Sequence, residues 1–311
     1  MSSSTAFQTS ESNPSLDKIV PVHELEGLAG CISSDRDSGN GYMLIARQYP
    51  SGDAECMAIK LLSGESLRTG GGGKRKNCET SAMDKTTLLA SCRRAKTQCR
   101  MKSLTFLPDK MLTLNFRCDE NNMTPAGLDA SDLGECWKVF KYFSKMMRKF
   151  YKEKWVYLAV PEYTEAGNIH FHLAIKGFWS YHRMRHYWYR ATKSVKKICP
   201  ETGKTLRGYS ADTNGQVNIT ESRACEYKIW NPRRIAQYLT KYITKGSAAD
   251  FNKSRYSSGG NIPIPDPMRG WVSLGLPMFS VLDTVIRGLS SFQPSDRYEV
   301  EGFLNISYLS T

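Results

Sequence analysis

The chain of 311 residues lacks any apolar run of about 18 residues or more, and it lacks a basic segment followed by an apolar one near its start. Those patterns mark membrane spans and secretory signal peptides, so we expect a cytoplasmic protein with no membrane partner. The nine cysteines are odd in number and include no Cys-x-x-Cys pair, which favours reduced thiols. A zinc cluster of Cys78, Cys92 and Cys99 is the lesser alternative.

A phosphate-binding loop is also missing. The glycines at 70–73 precede Lys74, but Arg68 and Arg75 stand where a Walker motif needs Gly and Ser or Thr. We therefore expect a flexible basic loop here, and neither an ATPase nor a helicase in this chain.

Acidic residues are outnumbered, with 30 Asp and Glu against 43 Lys and Arg, and the formal charge of +13 favours a polyanionic partner. The aromatic-rich segment 181–190 could contact a phosphate backbone while its rings stack on unpaired bases. Alternatively, it is a half-buried helix that packs its aromatic rings on a sheet. The candidate DNA contacts are Arg183, Arg185, Arg190, Arg233 and Arg234.

Histidine is scarce, yet two of the five histidines, His170 and His172, stand two residues apart in an apolar stretch. Alternate side chains of a β-strand share one face, so both imidazoles point the same way and Phe171 points the other way. This pattern is typical of two ligands for one metal ion. By itself, however, a His-x-His strand more often presents polar side chains to solvent.

A carboxylate is predicted to join the two histidines. Residues 155–160 form a second β-rich run, and residues 164–168 have hairpin-turn chemistry. With a three-residue loop at 165–167, Glu162 lies opposite His170 on the same face. Two imidazoles and a carboxylate suit Mg²⁺ or Mn²⁺, although zinc would also accept them. A slip of register would replace Glu162, and Glu165 is the competing ligand.

A short helix is predicted downstream, because Asn231 is a good N-cap, Pro232 suits the first helical position and Gly246 can end the helix. One arc of about 100° carries Tyr238, Lys241, Tyr242 and Lys245, and a different face carries Ala236, Leu239 and Ile243. The alternative is an ordinary amphipathic helix with half-buried tyrosines and lysines that extend to solvent.

Together these segments resemble the HUH endonucleases, where U is a bulky hydrophobic residue. The resemblance is closest to the two-tyrosine rolling-circle replication initiators of single-stranded DNA phages, of the microvirus or gokushovirus kind, and of related plasmids. His170-Phe171-His172 matches the HUH motif, residues 238–245 match the doubled Tyr-x-x-Lys helix, and residues 111–116 look like the first motif. The resemblance covers roughly residues 81–246.

The resemblance implies a ferredoxin-like sheet with a divalent ion held by His170 and His172, and with Glu162 as the third ligand. It also implies attack on the scissile phosphate by one of two tyrosines, with positive charge from two lysines: Tyr238, Tyr242, Lys241 and Lys245. The product is then a 5′-phosphotyrosine and a free 3′-hydroxyl that primes replication. The implied partners are single-stranded DNA at an origin and a separate host helicase and polymerase, in the bacterial cytoplasm if a phage encodes the chain.

The order of elements indicates an α+β fold with an antiparallel sheet covered by helices and with irregular terminal extensions. A helix at 132–151 is expected to bury the stripe Trp137, Phe140, Phe143, Met147 and Phe150. We predict a disordered lead-in at 1–40, a peripheral segment at 41–80, the nicking and joining domain at 81–250 and a C-terminal extension at 251–311. Residues 199–216 look like an insertion or a long loop.

Two other functions remain open. A two-tyrosine transposase or a mobilisation relaxase would share the HUH and tyrosine motifs. From a different class, a non-catalytic basic protein could bind DNA while the histidine pair and the tyrosine helix are merely structural.

Overall fold

The computed structural model describes residues 41–61, 85–177, 179–193, 215–221, 231–243, 254–273, 277–289, 294–298 and 307–310. Several predicted features lie outside these residues: the lead-in at 1–40, the glycine loop, Cys78, most of the insertion at 199–216, Lys245 and Gly246. No helix in the described part of the chain combines the length and the hydrophobicity of a membrane span.

The described elements form a mixed α+β fold in which the paired strands are antiparallel, as expected from the order of elements. The strands are β1 (Gly41–Gln48), β2 (Ala54–Leu61), β3 (Lys110–Phe116), β4 (Tyr157–Tyr163), β5 (Ile169–Ile175), β6 (Gly215–Glu221), β7 (Ser257–Gly259), β8 (Met268–Ser273), β9 (Pro294–Tyr298) and β10 (Ser307–Ser310). The helices are α1 (Lys85–Phe106), α2 (Leu133–Tyr151), α3 (Tyr181–Ala191), α4 (Pro232–Ile243) and α5 (Met278–Leu289).

The chain divides into two compact units. The first comprises residues 1–48, 52–71 and 266–311, and the second comprises residues 49–51 and 72–265. This division differs from the predicted segments, because residues on both sides of the central region share the first unit. There β1 pairs with β2 and with β8, and α5 packs its apolar side chains into the core of that unit.

The second unit contains a sheet of order β6-β3-β5-β4-β7. Along the chain the elements β3, α2, β4, β5, α3 and β6 follow one another as βαββαβ. Numbered within that motif, the strands lie in the order 4-1-3-2, which is the ferredoxin-like arrangement. Strand β7 extends this sheet beside β4.

One face of this sheet is covered by α2 and α3. Asp132 starts α2 because its carboxylate accepts hydrogen bonds from the backbone N–H groups of Gly134 and Glu135. Buried rings of α2 and β5 meet there in an aromatic core, with Phe171 4.9 Å from Phe140 between ring centroids. The predicted α2 stripe is confirmed except at its end, since the side chain of Phe150 is 47% exposed.

The opposite face carries the histidines of β5. Apolar side chains of β3, β4 and β5 on this face pack against α1 and α4. Because side chains alternate along β5, Phe171 enters the aromatic core while His170 and His172 point toward the face that α4 covers. The sheet thus separates an aromatic core from a polar site.

Candidate active site

The hairpin between β4 and β5 sets the register of the site. The N–H of Thr164 donates to the carbonyl of Asn168 at 2.8 Å, which leaves residues 165–167 as the loop. Gly167 has φ 86°, a left-handed conformation that glycine adopts without steric cost. Glu162 consequently pairs directly with His170, so the register predicted from the loop is confirmed.

Three side chains converge at this point of the sheet. Oε2 of Glu162 lies 2.9 Å from Nε2 of His170 and 2.7 Å from Nε2 of His172. One ligand atom from each of the three residues lies within 4.8 Å of the other two. The competing carboxylate, Glu165, is exposed in the hairpin loop and is not part of this group.

The electrostatics of the group favour the forms that bind cations. Burial tends to raise the pKa of Glu162, but hydrogen bonds and charge interactions with His170 and His172 outweigh burial and hold that pKa below its usual value. Burial lowers the pKa of His172 even though Glu162 acts in the opposite direction. An ionised Glu162 and a neutral His172 are therefore favoured at neutral pH, and these are the ligand forms of the two side chains.

The spacing of these atoms also fits a divalent ion. With metal–ligand distances of about 2.1 Å, neighbouring ligands of an octahedral ion lie about 3.0 Å apart. The two measured distances between Glu162 and the histidines are close to this value. His170, His172 and Glu162 can therefore hold Mg²⁺ or Mn²⁺ with little movement of their side chains.

Helix α4 begins as its sequence predicts. Asn231 accepts a hydrogen bond from the N–H of Arg234 at 2.8 Å, and Pro232 is the first residue of the helix. Its apolar face is buried against the sheet and α1 through Ile235, Ala236, Leu239 and Ile243. The cap and this face together orient the remaining side chains of the helix.

Both tyrosines of α4 contact the same histidine. The ring of Tyr242 stacks on His172 with 5.0 Å between centroids and 20° between planes. The ring of Tyr238 meets His172 edge-on, at 5.2 Å and 89°. The tyrosines are thus half-buried, whereas Lys241 is exposed. Burial, and next the hydrogen bond and charge of Tyr238, raise the pKa of Tyr242, with a smaller contribution from Glu162.

The three arginines of α3 are not brought to this group. Helix α3 packs on the opposite face of the sheet, where Trp188 and Tyr189 are buried in the aromatic core. Those two rings cannot stack on bases, so that part of the expectation for segment 181–190 is wrong. Arg183 lies 3.4 Å above the ring of Phe150, and Arg185 donates to the hydroxyl of Tyr189 at 2.8 Å.

The remaining candidates have simpler placements. Arg190 is exposed at the end of α3, and Arg233 and Arg234 lie in the first turn of α4. Cys92 and Cys99 are buried free thiols, and burial raises the pKa of Cys99 to about 12. Neither cysteine is in the group of candidate ligands found among the described residues.

Sequence reasoning missed the contribution of β3 to the site. Thr113 lies opposite His172 and Asn115 lies opposite His170, both on the face that carries the histidines. The alternation of apolar and polar residues in 111–116 is the signal that could have placed them there.

Residues 109–247 match a family model described as a replication-associated protein, the ORF2 family. The matched segment runs from β3 to just beyond α4, so it contains both histidines, Glu162 and both tyrosines. This match supports a replication initiator family. A comparison with curated proteins gave no match, and a comparison with solved structures gave none either.

Proposed function

We propose that the protein initiates rolling-circle DNA replication as a metal-dependent nickase and strand-joining enzyme that acts on single-stranded DNA. One observation carries the proposal: the rings of Tyr238 and Tyr242 both contact His172, whose Nε2 faces Glu162 beside His170. Two phenol nucleophiles thus lie next to three candidate metal ligands. The match to a replication-associated family favours replication over transposition or mobilisation.

His170, His172 and Glu162 would hold Mg²⁺ or Mn²⁺, which when bound supplies Lewis-acid stabilisation of the charge that develops on the scissile phosphate. The support for this assignment is the convergence of two imidazole nitrogens and one carboxylate oxygen. Thiolates, which would favour zinc, are absent from this group.

Tyr238 or Tyr242 would attack the phosphorus atom. The bond to the 3′-oxygen breaks, the phenol loses its proton, and the products are a 5′-phosphotyrosine and a free 3′-hydroxyl. The ordinary pKa of tyrosine is about 10, so the phenols are protonated at neutral pH and positive charge must favour the attacking form. Lys241, exposed on α4 next to Tyr242 in the sequence, is one candidate source of that charge; Lys245 is the other predicted source.

The two tyrosines would divide the work between them. They stand one helical turn apart, with 5.0 Å between ring centroids. One can carry the end of a cut strand while the second cuts the regenerated origin. Since the covalent link retains the energy of the broken bond, joining the strands needs no nucleotide cofactor. A separate host helicase and polymerase would then extend the 3′-hydroxyl in the cytoplasm.

DNA binding would rest on the excess of basic residues, which gives the chain its charge of +13. Arg233 and Arg234 lie on the helix that carries the tyrosines and are the nearest of the predicted arginines along the chain. Arg183, Arg185 and Arg190 lie on the other face of the sheet and would contact DNA only at a distance from the metal ligands.

A covalent-adduct assay tests this function. The full chain is incubated with Mn²⁺ and a set of stem-loop oligonucleotides carrying a label at either the 5′ or the 3′ end, and the mixture is then denatured. We expect the 3′-end label to remain with the protein and the 5′-end label to be released. Absence of adduct across the oligonucleotide set would contradict the proposal, and so would adduct formation that is insensitive to a chelator.

Changing both Tyr238 and Tyr242 to Phe should remove the adduct. Tyr142→Phe is the matched control, because that tyrosine is 45% exposed on α2, which covers the other face of the sheet.

A further inference from the structure

Strand β3 places a hydroxyl group against one of the candidate metal ligands. Thr113 pairs with His172 in the antiparallel register, and its Oγ1 lies 3.2 Å from Nδ1 of that ring. Thr113 is half-buried and only 5% of His172 is exposed, so little water competes for the contact.

The imidazole of His172 is therefore contacted at both nitrogens. Nδ1 meets Thr113, while Nε2 lies 2.7 Å from Oε2 of Glu162. A neutral imidazole binds a cation through the nitrogen that carries no proton, so an ion at Nε2 requires the proton to be on Nδ1. The hydroxyl oxygen of Thr113 can accept a hydrogen bond from that Nδ1–H, as partners of metal-binding histidines commonly do.

A hydroxyl is also suited to the site before an ion arrives. When the proton is on Nε2 and is shared with Glu162, the Thr113 hydroxyl can rotate and donate to Nδ1 instead. A carbonyl or carboxylate in the same place could only accept. Thr113 thus supports the same ring orientation in both tautomers of His172.

His170 has no equivalent contact from β3 in the described part of the chain. Asn115 pairs with His170 across the two strands, yet its buried Oδ1 has no hydrogen-bond partner among the described residues. Strand β3 therefore holds His172 by a hydrogen bond and does not hold His170 in this way.

We propose that Thr113 is a positioning residue that holds the His172 ring with Nε2 directed at the metal position and thereby raises the affinity for the divalent ion. This inference rests on the proposed function, because that function makes the group of three ligands a metal centre. The role of Thr113 is distinct from catalysis, since Thr113 acts through His172.

The test measures Mn²⁺ binding to the full chain in the absence of DNA, by electron paramagnetic resonance of the free ion. Thr113→Val keeps the shape of the side chain and removes the hydroxyl, whereas Thr113→Ser keeps the hydroxyl. Thr105→Val is the control, because the buried hydroxyl of Thr105 donates to the carbonyl of Met101 within α1. We expect Thr113→Val to weaken Mn²⁺ binding about 10- to 100-fold, and the other two variants to bind like the native chain.

A second readout separates positioning from general damage. Saturating Mn²⁺ should restore the nicking rate of Thr113→Val, because the defect lies in metal affinity. If the valine variant does not fold, nitrogen NMR of the native and Thr113→Ser proteins with Zn²⁺ bound should show the His172 proton on Nδ1. A proton on Nε2 would overturn the inference.

Native Mn²⁺ affinity in Thr113→Val would overturn it as well, and so would an equal loss in Thr113→Ser or in Thr105→Val, or a native chain that binds no Mn²⁺. The outcomes for the proposed function are separate. Mn²⁺ binding that depends on Thr113 without any DNA adduct would contradict the nickase and leave this inference standing. An adduct with native affinity in Thr113→Val would contradict this inference alone.

Discussion

The ring of Tyr242 lies nearly parallel to the ring of His172, with 5.0 Å between their centroids and 20° between their planes. This contact joins α4 to β5, which are separated in the chain by α3 and β6. It places a candidate nucleophile directly against a candidate metal ligand. The predictions below follow from this arrangement.

Glu162→Gln should strongly reduce both Mn²⁺ binding and nicking. The amide keeps the shape of the side chain but removes the negative charge that faces both histidines. We expect the loss to exceed the range that is typical of an outer-shell partner, which is about 10- to 100-fold. Mn²⁺ titration and the nicking rate measure it.

The matched control for this change is Glu165→Gln, because Glu165 is exposed in the hairpin loop. If Glu165→Gln lost the metal and Glu162→Gln kept it, the competing residue would be the third ligand.

The metal-free protein should lose stability as the pH falls below about 6.5. Burial lowers the pKa of His172 from its ordinary value of 6.5, so the unfolded chain takes up a proton at a pH where the folded chain resists it. Each unit of that lowering costs about 1.4 kcal/mol once the pH is below the folded pKa. The pKa of Glu162 is also lowered, so further stability is lost at still lower pH, as that carboxylate becomes protonated.

Urea unfolding between pH 7.5 and 5, with a chelator present, checks this dependence. His172→Gln should show a shallower decline than the native chain, whereas His182→Gln, at an exposed position of α3, should decline like the native chain. Equal slopes in all three proteins would show that His172 does not cause the effect.

Phe171→Ala should destabilise the protein by about 3–5 kcal/mol, because it leaves a cavity in the aromatic core. The Phe171 side chain is fully buried, and its ring lies 4.7 Å from Trp137 and 4.9 Å from Phe140. His170→Ala, one residue earlier on the other face, should abolish nicking with a much smaller loss of stability. Thermal unfolding and nicking assays separate the two. Similar losses of stability would contradict the division of β5 into a core face and a site face.

Arg233→Ala and Arg234→Ala should weaken binding of single-stranded DNA more than Arg183→Ala and Arg185→Ala do. The first pair lies on the tyrosine helix, and the second pair is engaged by Phe150 and Tyr189 on the far side of the sheet. Each lost phosphate contact should also reduce the slope of binding against salt by about 0.7. Fluorescence anisotropy at several salt concentrations measures both quantities. A larger loss from the α3 variants would place the DNA on the other face.

Local chemistry was enough to predict much of the site. The turn residues at 164–168 and the period-2 pattern fix the pairing of Glu162 with His170, and Asn231 with Pro232 fixes the start of α4. Each of these features depends on neighbours within about ten residues, which is the range that turn and capping preferences describe.

Pairings between distant segments could not be predicted in this way. Strand β6 pairs with β3 about 100 residues away, and its first residues had been assigned to a loop. Strand β8 likewise joins β1 across more than 200 residues. The orientation of α3 is decided by Trp188, which enters the core and directs the arginines to the far side of the sheet. Side-chain packing of this kind has no local signal.

The most direct measurement of the central claim is mass spectrometry of the protein–DNA adduct, which identifies the residue that carries the DNA. We predict a phosphotyrosine link at Tyr238 or Tyr242 in the native chain. It should move wholly to Tyr242 in Tyr238→Phe and wholly to Tyr238 in Tyr242→Phe, because both rings contact His172. DNA linked to any other residue, or an adduct that persists when both tyrosines are Phe, would contradict the account.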